Sequence, residues 1–306
     1  MFVSVVIPTF NRMPVLLRAI DSVLSQKGVS IAGAAMSDSP AVESSDQLKS
    51  AFNVELIVVD DGSTDDTSDY ISEHYPQVHL IKQSNKGVSA ARNAAIKRAA
   101  GDWIALLDSD DQWMPDKLIT QLDAIKKTGL KVCHTQEVWI RDGVRVNQMK
   151  KHQKFGGAIF TKCLPLCAMS PSSIIIHKSV FESVGTFDEA FPACEDYDLW
   201  LRITATHQVA YIEEPLIYKY GGHDDQLSRQ YWGMDRFRVL ALHKLLSDDF
   251  YLNALSHEEL EAALKVLLKK LKILLKGAIK HENHTVIEDC NNKISHWQAY
   301  SDARSI

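Results

Sequence analysis

Carboxylates cluster at three places in this chain, and their spacing could support chemistry. The three groups are Asp108, Asp110 and Asp111; Asp60 and Asp61; and Glu195, Asp196 and Asp198. Carboxylates held close together repel one another unless a cation or several hydrogen-bond donors offset the charge. Mg²⁺ and Mn²⁺ suit such places, because these ions accept one or two carboxylates and take further ligands from water and phosphate. The pattern therefore indicates metal–phosphate chemistry or, alternatively, acidic turns that cap helices.

Both interpretations stay open for each group taken alone. Asp108, Asp110 and Asp111 could hold a metal diphosphate or form a solvated turn. Asp61 could accept a hydrogen bond from the N–H of a base, or could cap a turn together with Asp60. Asp196 could be a general base, or a carboxylate that the dipole of the following helix favours.

The elements that would position these acids alternate regularly over the first 130 residues. Short β-branched runs predict strands at 3–10, 54–63, 78–83 and 102–108. Helical spacing predicts helices at 13–26, after residue 63, at 87–101 with a glycine stop, and from Pro115 onward. This alternation predicts an α/β fold with a parallel sheet and helices on both faces. Ligands of such sheets lie beyond the carboxyl ends of the strands, where these aspartates fall.

Other segments depart from the alternation. Residues 27–53 are rich in Ser, Ala, Asp and Gly, and predict a mobile insertion at the opposite end of the sheet. Residues 132–146 predict two strands joined through "RDG", and 209–220 a strand pair or a bent strand. From about 230 the chain is mostly helical. Residues 257–281 combine a leucine stripe with many lysines, a pattern that predicts an amphipathic helix. Such a helix could dock on the protein or on a second subunit, or it could contact an anionic membrane.

The composition restricts the function classes. The chain has 306 residues, a net charge of −5 and five scattered cysteines. The charge argues against a nucleic-acid partner, and the cysteines favour a reduced cytoplasmic protein over a disulfide or zinc framework. Neither a signal peptide nor a transmembrane helix is apparent. We expect the protein to be cytoplasmic. If it contacts a membrane peripherally, we expect that contact at the inner face of the cytoplasmic membrane.

Five blocks together resemble the motifs of bacterial-type family 2 glycosyltransferases with the GT-A fold. They are "VSVVIPTFNR", "ELIVVDDGSTDDT", "NKGVSAARNAAI", "GDWIALLDSDDQWMPDKL" and "EDYDLWLRI". They occur in the family's order and cover about 3–220, apart from the insertion. The resemblance implies a mostly parallel nucleotide-binding sheet flanked by helices, with a C-terminal helical extension. It implies a catalytic domain at 1–225, divided into a nucleotide-sugar half (1–112) and an acceptor half (113–225), and a helical region at 226–306.

The resemblance also implies residue roles. Pro8, Phe10 and Arg12 would line the nucleotide pocket, Asp61 would read the base, and Lys86 and Arg92 would border the pocket. Asp108, Ser109 and Asp110 would hold the ribose and the metal diphosphate. Metal ligands would be Asp110, Asp111 and His223, with Mn²⁺ or Mg²⁺ as the cofactor. Asp196 would be the catalytic base, with Glu195 beside it.

The implied reaction is an inverting sugar transfer from a nucleotide-diphosphate donor, foremost a UDP-sugar. The acceptor would be a hydroxyl of a glycan or a lipid-linked glycan, in cell-surface polysaccharide synthesis. Three alternatives remain: a non-catalytic GT-A module that binds a nucleotide or glycan, a phosphoacceptor signalling domain, and a nucleotidyltransferase. The signalling domain would be about half this length, and the nucleotidyltransferase would more typically carry a glycine-rich basic loop.

Overall fold

The computed structural model describes residues 1–32, 52–222 and 231–304. The chain divides into two compact units, and each unit is described only for the residues in these ranges. Unit 1 comprises Met1–Gly157, Met169–Glu189 and Val209–Gly222, and unit 2 comprises Ala158–Ala168, Ala190–Gln208 and His223–Ile306. The predicted division at residue 225 stays a prediction.

Unit 1 is built on one sheet, whose strands in chain order are β1 (Phe2–Thr9), β2 (Val29–Ile31), β3 (Phe52–Asp60), β4 (Val78–Lys82), β5 (Trp103–Leu106), β6 (Gln112–Trp113), β7 (Val132–Arg141), β8 (Val144–Val146), β9 (Ile174–His177) and β10 (Ala210–Gly221). Their spatial order is β2-β3-β1-β5-β9-β7-β10-β6, with β4 also on β3 and β8 on β7. Strands β1 to β5 are mutually parallel where they pair, and β7 is parallel to β10. Strand β9 is antiparallel to both of its neighbours, so β5 and β7 run in the same direction. The carboxyl ends of β1, β3, β5, β7 and β10 therefore share one edge of the sheet, called here the rim.

Helices cover the sheet in unit 1 and make up most of unit 2. Those of unit 1 are α1 (Met13–Leu24), α2 (Thr67–His74), α3 (Val88–Arg98), α4 (Lys117–Thr128) and α6 (Lys178–Val184). Those of unit 2 are α5 (Phe160–Cys163), α7 (Glu195–Thr204), α8 (Asp235–Leu246), α9 (Asp249–Ala254), α10 (His257–Lys280) and α11 (His284–Arg304). In the described ranges, every helix is too short or too polar to span a bilayer.

The central strands are buried because their sequences leave almost no polar side chain to expose. Val3, Val5 and Ile7 of β1 and Val54 and Val58 of β3 are fully buried. Such β-branched side chains pack well on a pleated sheet that helices cover, which is why the apolar runs alone predict these strands. The mixed α/β fold with a mostly parallel sheet is confirmed.

Several predicted boundaries need correction. Helix α4 begins at Lys117 rather than Pro115, with Asp116 at the N-cap position. Helix α3 ends at Arg98, so Gly101 does not terminate it. Of the two alternatives predicted for residues 209–220, the structure has the single irregular strand, with two register shifts against β7. Within the predicted mobile insertion 27–53, Val29–Ile31 pairs in parallel with β3, and residues 33–51 lie outside the described residues.

Gly101 is required for a different reason, which is close packing against β1. A Cβ atom there would lie 2.7 Å from the Ser4 nitrogen and 2.9 Å from the Phe2 carbonyl oxygen. The Gly101 N–H donates to Ser4 Oγ at 2.9 Å, and the Ala100 N–H donates to the buried Glu55 carboxylate at 2.6 Å. A side chain at 101 would therefore displace backbone atoms and their hydrogen bonds.

Gly101→Ala is expected to lower the free energy of unfolding by about 1–3 kcal/mol, the usual cost of overpacking. Denaturant unfolding followed by circular dichroism measures the change. Gly277→Ala is the matched control, because a Cβ there meets nothing within 4 Å and the residue lies in helix α10. That control should be neutral or stabilising by up to about 1 kcal/mol. Equal behaviour of the two variants would contradict the packing argument.

Candidate active site

The rim carries aspartates at the ends of β3 and β5, the two strands that flank β1. Asp60 and Asp61 end β3, and Asp108 follows β5 by two residues, with β1 between these strands. The Asp61 N–H donates to the Thr9 carbonyl at 2.9 Å, which joins the ends of β3 and β1. The structure therefore brings together the first two carboxylate groups that the sequence analysis singled out.

Asp61 holds the turn that precedes helix α3. Its Oδ1 accepts from Gln83 Nε2 at 2.7 Å and from the Lys86 N–H at 2.9 Å. Its Oδ2 accepts from the Gly87 N–H at 2.8 Å. Asp60, by contrast, caps its own loop by accepting from the Ser63 N–H at 2.8 Å and from the Ser68 hydroxyl. Asp61 therefore determines the shape of 83–87, and any base would meet a carboxylate that is already oriented.

Helix α3 presents an uncapped N-terminus beside this turn. Its N-cap residue, Gly87, has φ +87° and offers no side-chain hydrogen bond. Two buried hydroxyls have no hydrogen-bond partner within the ranges that the structure describes. They are Ser89 Oγ in the first turn of α3 and Thr9 Oγ1 at the end of β1. Buried hydroxyls without partners and free helix N–H groups favour an anionic or polyhydroxyl ligand.

Each of the three aspartates after β5 lies beside a cationic side chain. Arg92 Nη2 donates to Asp108 Oδ1 at 2.7 Å, and Arg12 Nη1 donates to Asp110 Oδ2 at 3.1 Å. Lys219 Nζ lies 3.4 Å from Asp111 Oδ2. The protein's own cations thus offset the charge that the sequence places here.

Asp111 is the most enclosed of the three. Its Oδ2 accepts from Ser172 Oγ at 2.6 Å, and its Oδ1 accepts from the Tyr220 N–H at 2.9 Å. Burial raises the pKa of Asp111 to about 7, and the neighbouring Asp110 and Asp108 carboxylates act in the same direction. Lys219 acts in the opposite direction and lowers this pKa. Asp111 therefore fastens the turn after β5 to the end of β10.

The other rim charges respond to the same surroundings. Burial alone would raise the pKa of Asp108, but Arg92, Lys219 and Arg12 outweigh burial and hold that pKa below its ordinary value. Burial alone would lower the pKa of Lys219, but Asp111, Glu137 and Asp108 outweigh burial and raise that pKa. Lys219 is therefore a permanent cation on the rim.

The remaining predicted rim residues differ in exposure. Pro8 and Ser109 are buried, so their side chains support the backbone around the site. Phe10 is 41% exposed, and Lys86 is exposed. An exposed aromatic ring at the end of β1 suits stacking on a base.

Unit 2 contains the third carboxylate group, at the start of helix α7. Asp196 Oδ2 accepts from the Cys167 thiol at 3.0 Å, and Asp196 Oδ1 accepts from the Tyr197 N–H at 2.7 Å. Burial and the Asp196 carboxylate raise the pKa of Cys167 well above its ordinary value, so the thiol keeps its proton and donates. Asp196 is partly exposed, whereas the adjacent Glu195 is buried.

Asp198 differs from Asp196 because it belongs to a buried ion-pair cluster. It accepts from Arg202 Nε at 3.0 Å and Nη2 at 2.7 Å, and Lys244 Nζ lies 3.1 Å away. These contacts hold α7 to α8 within unit 2. Asp198, the third acid of the "EDYD" motif, therefore has a structural role.

The donor atoms of the rim allow a test of the predicted metal site. No group of three or more His, Cys, Asp or Glu side chains in the described residues is arranged to hold a metal ion. Both Asp111 oxygens already accept hydrogen bonds, whereas Asp110 Oδ1 accepts none within the described ranges. Because Mg²⁺ and Mn²⁺ need only one or two carboxylates when a diphosphate supplies other oxygens, Asp110 fits that role. His223 lies outside the described residues.

Sequence reasoning did not predict three features of the rim. Lys219 and Ser172 pair with Asp111, and Ser89 stands at the start of α3. Lys219 lies 108 residues from its aspartate, and Ser172 lies 61 residues away, so no local spacing indicates them. The "YKYGG" stretch at the end of a predicted strand was the only local sign of Lys219.

Comparison with known proteins gives consistent similarities. The model of the family described as "Glycosyl transferase family 2" matches residues 4–185. An uncharacterized glycosyltransferase of Rickettsia felis is 29% identical over 70% of this chain and 32% of its own length. The chain thus spans about a third of the length of the first curated relatives that it matches.

A second relative has a named reaction. The UDP-Glc:alpha-D-GlcNAc-diphosphoundecaprenol beta-1,3-glucosyltransferase WfgD of Escherichia coli is 27% identical over 69% of this chain and 72% of its own length.

Solved structures show the same fold. S. aureus TarS 1-349 in complex with UDP-GlcNAc superposes with a TM-score of 0.62 at 18% identity, covering 99% of this chain and 92% of that one. The mannosyltransferase PcManGT of Pyrobaculum calidifontis, in complex with GDP-Man and Mn²⁺, gives a TM-score of 0.53 at 16% identity, covering 99% and 84%.

Asp61→Asn is expected to loosen the turn at 83–87, because an amide has one acceptor oxygen and its NH₂ group cannot accept the hydrogen bond that the second carboxylate oxygen accepts. Hydrogen bonds to a charged group contribute about 1.5–3 kcal/mol, so exchange of the Lys86 and Gly87 amides should accelerate tenfold or more. Hydrogen–deuterium exchange measures this rate. Asp65→Asn is the control, since Asp65 accepts only from Thr67 nearby. Unchanged exchange in Asp61→Asn would contradict the assignment.

Proposed function

Because the chain belongs to glycosyl transferase family 2, we propose that it transfers a sugar from a nucleotide-diphosphate donor to an acceptor hydroxyl with inversion. A UDP-sugar is the foremost donor, and a glycan or lipid-linked glycan of the cell surface is the acceptor. The observation that carries the proposal is the rim, where Asp110, Asp108 and Asp111 after β5 pair with Arg12, Arg92 and Lys219 in turn. Acids and cations alternating at the carboxyl edge of a sheet suit a ligand with both a diphosphate and hydroxyl groups.

The nucleotide half of the donor is assigned to the ends of β1 and β3. Phe10 stacks on the base, and the oriented Asp61 carboxylate lies where a base N–H can donate, as the family resemblance implies. Pro8 supports the backbone of this pocket, and Lys86 and Arg92 border it. Support comes from the exposed Phe10 ring and from the uncapped α3 N-terminus with its buried Ser89 hydroxyl.

The sugar diphosphate is assigned to the turn after β5. Asp108 and Ser109 would hold the ribose, and Asp110, whose Oδ1 accepts no hydrogen bond within the described ranges, would hold Mn²⁺ or Mg²⁺. When bound, the metal neutralises the negative charge that develops on the leaving diphosphate. Asp111, which also stood among the expected ligands, holds the turn in place through Ser172 and Tyr220. A ligand role for His223 stays a prediction.

Asp196 is assigned the general base, with Glu195 beside it. The Cys167 thiol and the Tyr197 N–H orient the Asp196 carboxylate, while Asp196 keeps partial exposure to an acceptor. A carboxylate removes the acceptor hydroxyl proton as that oxygen attacks the anomeric carbon opposite the leaving group. One displacement of this kind inverts the anomeric centre, as it does in inverting glycosidases.

The acceptor proposal takes support from the relative WfgD, whose name specifies a sugar on diphosphoundecaprenol. A lipid-linked sugar is therefore the acceptor class proposed for this chain. A panel of nucleotide sugars, assayed for Mn²⁺-dependent transfer or hydrolysis and for product anomer by NMR, tests the donor and the inversion. Absence of turnover with every donor, together with retained UDP binding, would favour a non-catalytic module.

Asp196→Asn is expected to reduce turnover by about 10²–10⁴-fold, the usual contribution of a general base. Donor binding, measured by calorimetry, should change less than about twofold, a shift within 0.5 kcal/mol. Asp123→Asn, an exposed carboxylate on α4, is the control and should keep full activity. Normal turnover in Asp196→Asn would remove the base assignment.

Asp110→Asn is expected to weaken UDP binding in the presence of Mn²⁺ by tenfold or more, a loss of about 1.4 kcal/mol or above. In the presence of EDTA the variant and the native protein should bind UDP alike, because the lost ligand then has no metal to hold. Calorimetry under both conditions measures the difference. A native protein that binds UDP equally with and without Mn²⁺ would contradict the metal assignment.

A further inference from the structure

Helix α10 uses its apolar face inside unit 2. Leu260, Leu264, Leu267 and Leu271 are all at most 5% exposed. The buried Lys270 on this helix is also engaged, since its Nζ donates to Asp235 at 2.9 Å and to the Pro165 carbonyl at 3.0 Å. Four leucines of the stripe that made α10 resemble a membrane-binding helix are therefore already covered by protein, whereas Leu268, Leu274 and Leu275 are partly buried. The face of α10 that is fully open to a further partner is the other one.

That other face carries a row of exposed lysines, called here the lysine row. Its members are Lys265, Lys269, Lys272, Lys276 and Lys280. Steps of three and four residues place them along one side of the helix over about 22 Å, at a rise of about 1.5 Å per residue. Within the described residues, none of the five takes part in an ion pair. The row is thus a line of uncompensated positive charge.

The row contrasts with the rest of the molecule. The chain as a whole carries a net charge of −5, and its sequence contains no acidic residue between Glu261 and Lys280. Like charges at this spacing repel, which costs helix stability unless an anionic partner is present. A continuous row of positive charge on a protein whose net charge is negative points to an extended anionic surface as the partner.

Two large apolar side chains accompany the lysines. Ile273 is 54% exposed and Ile279 is 57% exposed. Lysines beside exposed isoleucines match a bilayer interface, where headgroup phosphates meet the ammonium groups and apolar side chains enter the acyl boundary. A purely polyanionic partner would make no use of the isoleucines.

We propose that the lysine row docks unit 2 onto an anionic lipid bilayer, with Ile273 and Ile279 entering the interface. The inference rests on the proposed function in one respect: a lipid-linked acceptor gives the enzyme a reason to reside at a membrane. The surface itself is defined by the exposed charges of α10. Binding is electrostatic at first and therefore weakens as salt rises.

The test uses the full chain with phosphatidylglycerol-containing vesicles and with pure phosphatidylcholine vesicles, in a flotation assay. The native protein is expected to float with the anionic vesicles alone, and high salt should release it. K269Q/K272Q/K276Q should weaken this binding about a hundredfold, since each lysine near an anionic surface contributes about fivefold. K97Q/K127Q/K131Q removes the same charge from exposed sites in unit 1 and should bind like the native protein.

A second variant separates membrane entry from simple attraction to polyanions. I273S/I279S should weaken binding to anionic vesicles several-fold and leave binding to heparin unchanged. Equal losses in the row variant and its control would overturn the proposal. So would a row variant that only dissociates a dimer in ultracentrifugation, because the face would then contact a second copy.

Nucleotide binding keeps the two proposals distinguishable. All variants should bind UDP like the native protein and remain folded, since the lysine row lies outside the donor site. A native protein that binds UDP but never floats overturns the membrane inference and leaves the proposed function standing. A protein that floats as expected but never binds a nucleotide sugar overturns the proposed function instead.

Discussion

Charge balance at the rim is the constraint on which the rest of unit 1 depends. Three aspartates within four residues can stay ionised near one another only if cations or hydrogen-bond donors surround them. Arg12 and Arg92 each take one carboxylate, and Asp111 receives Ser172, Tyr220 and Lys219. These contacts join the ends of four separate strands. The strands position the charged side chains, and the hydrogen bonds and ion pairs of these side chains hold the turns at the strand ends.

The three aspartates consequently have different freedom. Asp111 is buried with both oxygens engaged, so it is part of the scaffold. Asp110 keeps an oxygen without a protein donor in the described ranges, and Arg12 can leave it for a phosphate at modest cost because both side chains are partly exposed. One rigid and one adaptable carboxylate, separated by a single peptide bond, suit a site that must be stable when empty and receptive to a charged ligand.

The sequence predicted the features that are local and missed those that arise from pairing. Strands β1, β3, β4 and β5 were predictable because buried parallel strands have continuous β-branched runs, which also placed Asp61 and Asp108 at one edge. Lys219 was not predictable, because its position depends on the irregular register of β10 against β7. Gly101 was assigned to a helix stop, whereas its actual reason is a contact with Ser4 of β1. The leucine stripe of α10 left protein docking and membrane contact open, since only the structure shows which face is covered.

The proposed function requires that the rim bind the diphosphate of a nucleotide sugar together with a divalent ion. A crystal structure with UDP and Mn²⁺, with the ion located by its anomalous scattering, tests this claim most directly. We expect one manganese bound to Asp110 and to diphosphate oxygens, with the base between Phe10 and Asp61. Manganese or nucleotide bound elsewhere, with Asp110 still paired to Arg12, would contradict it.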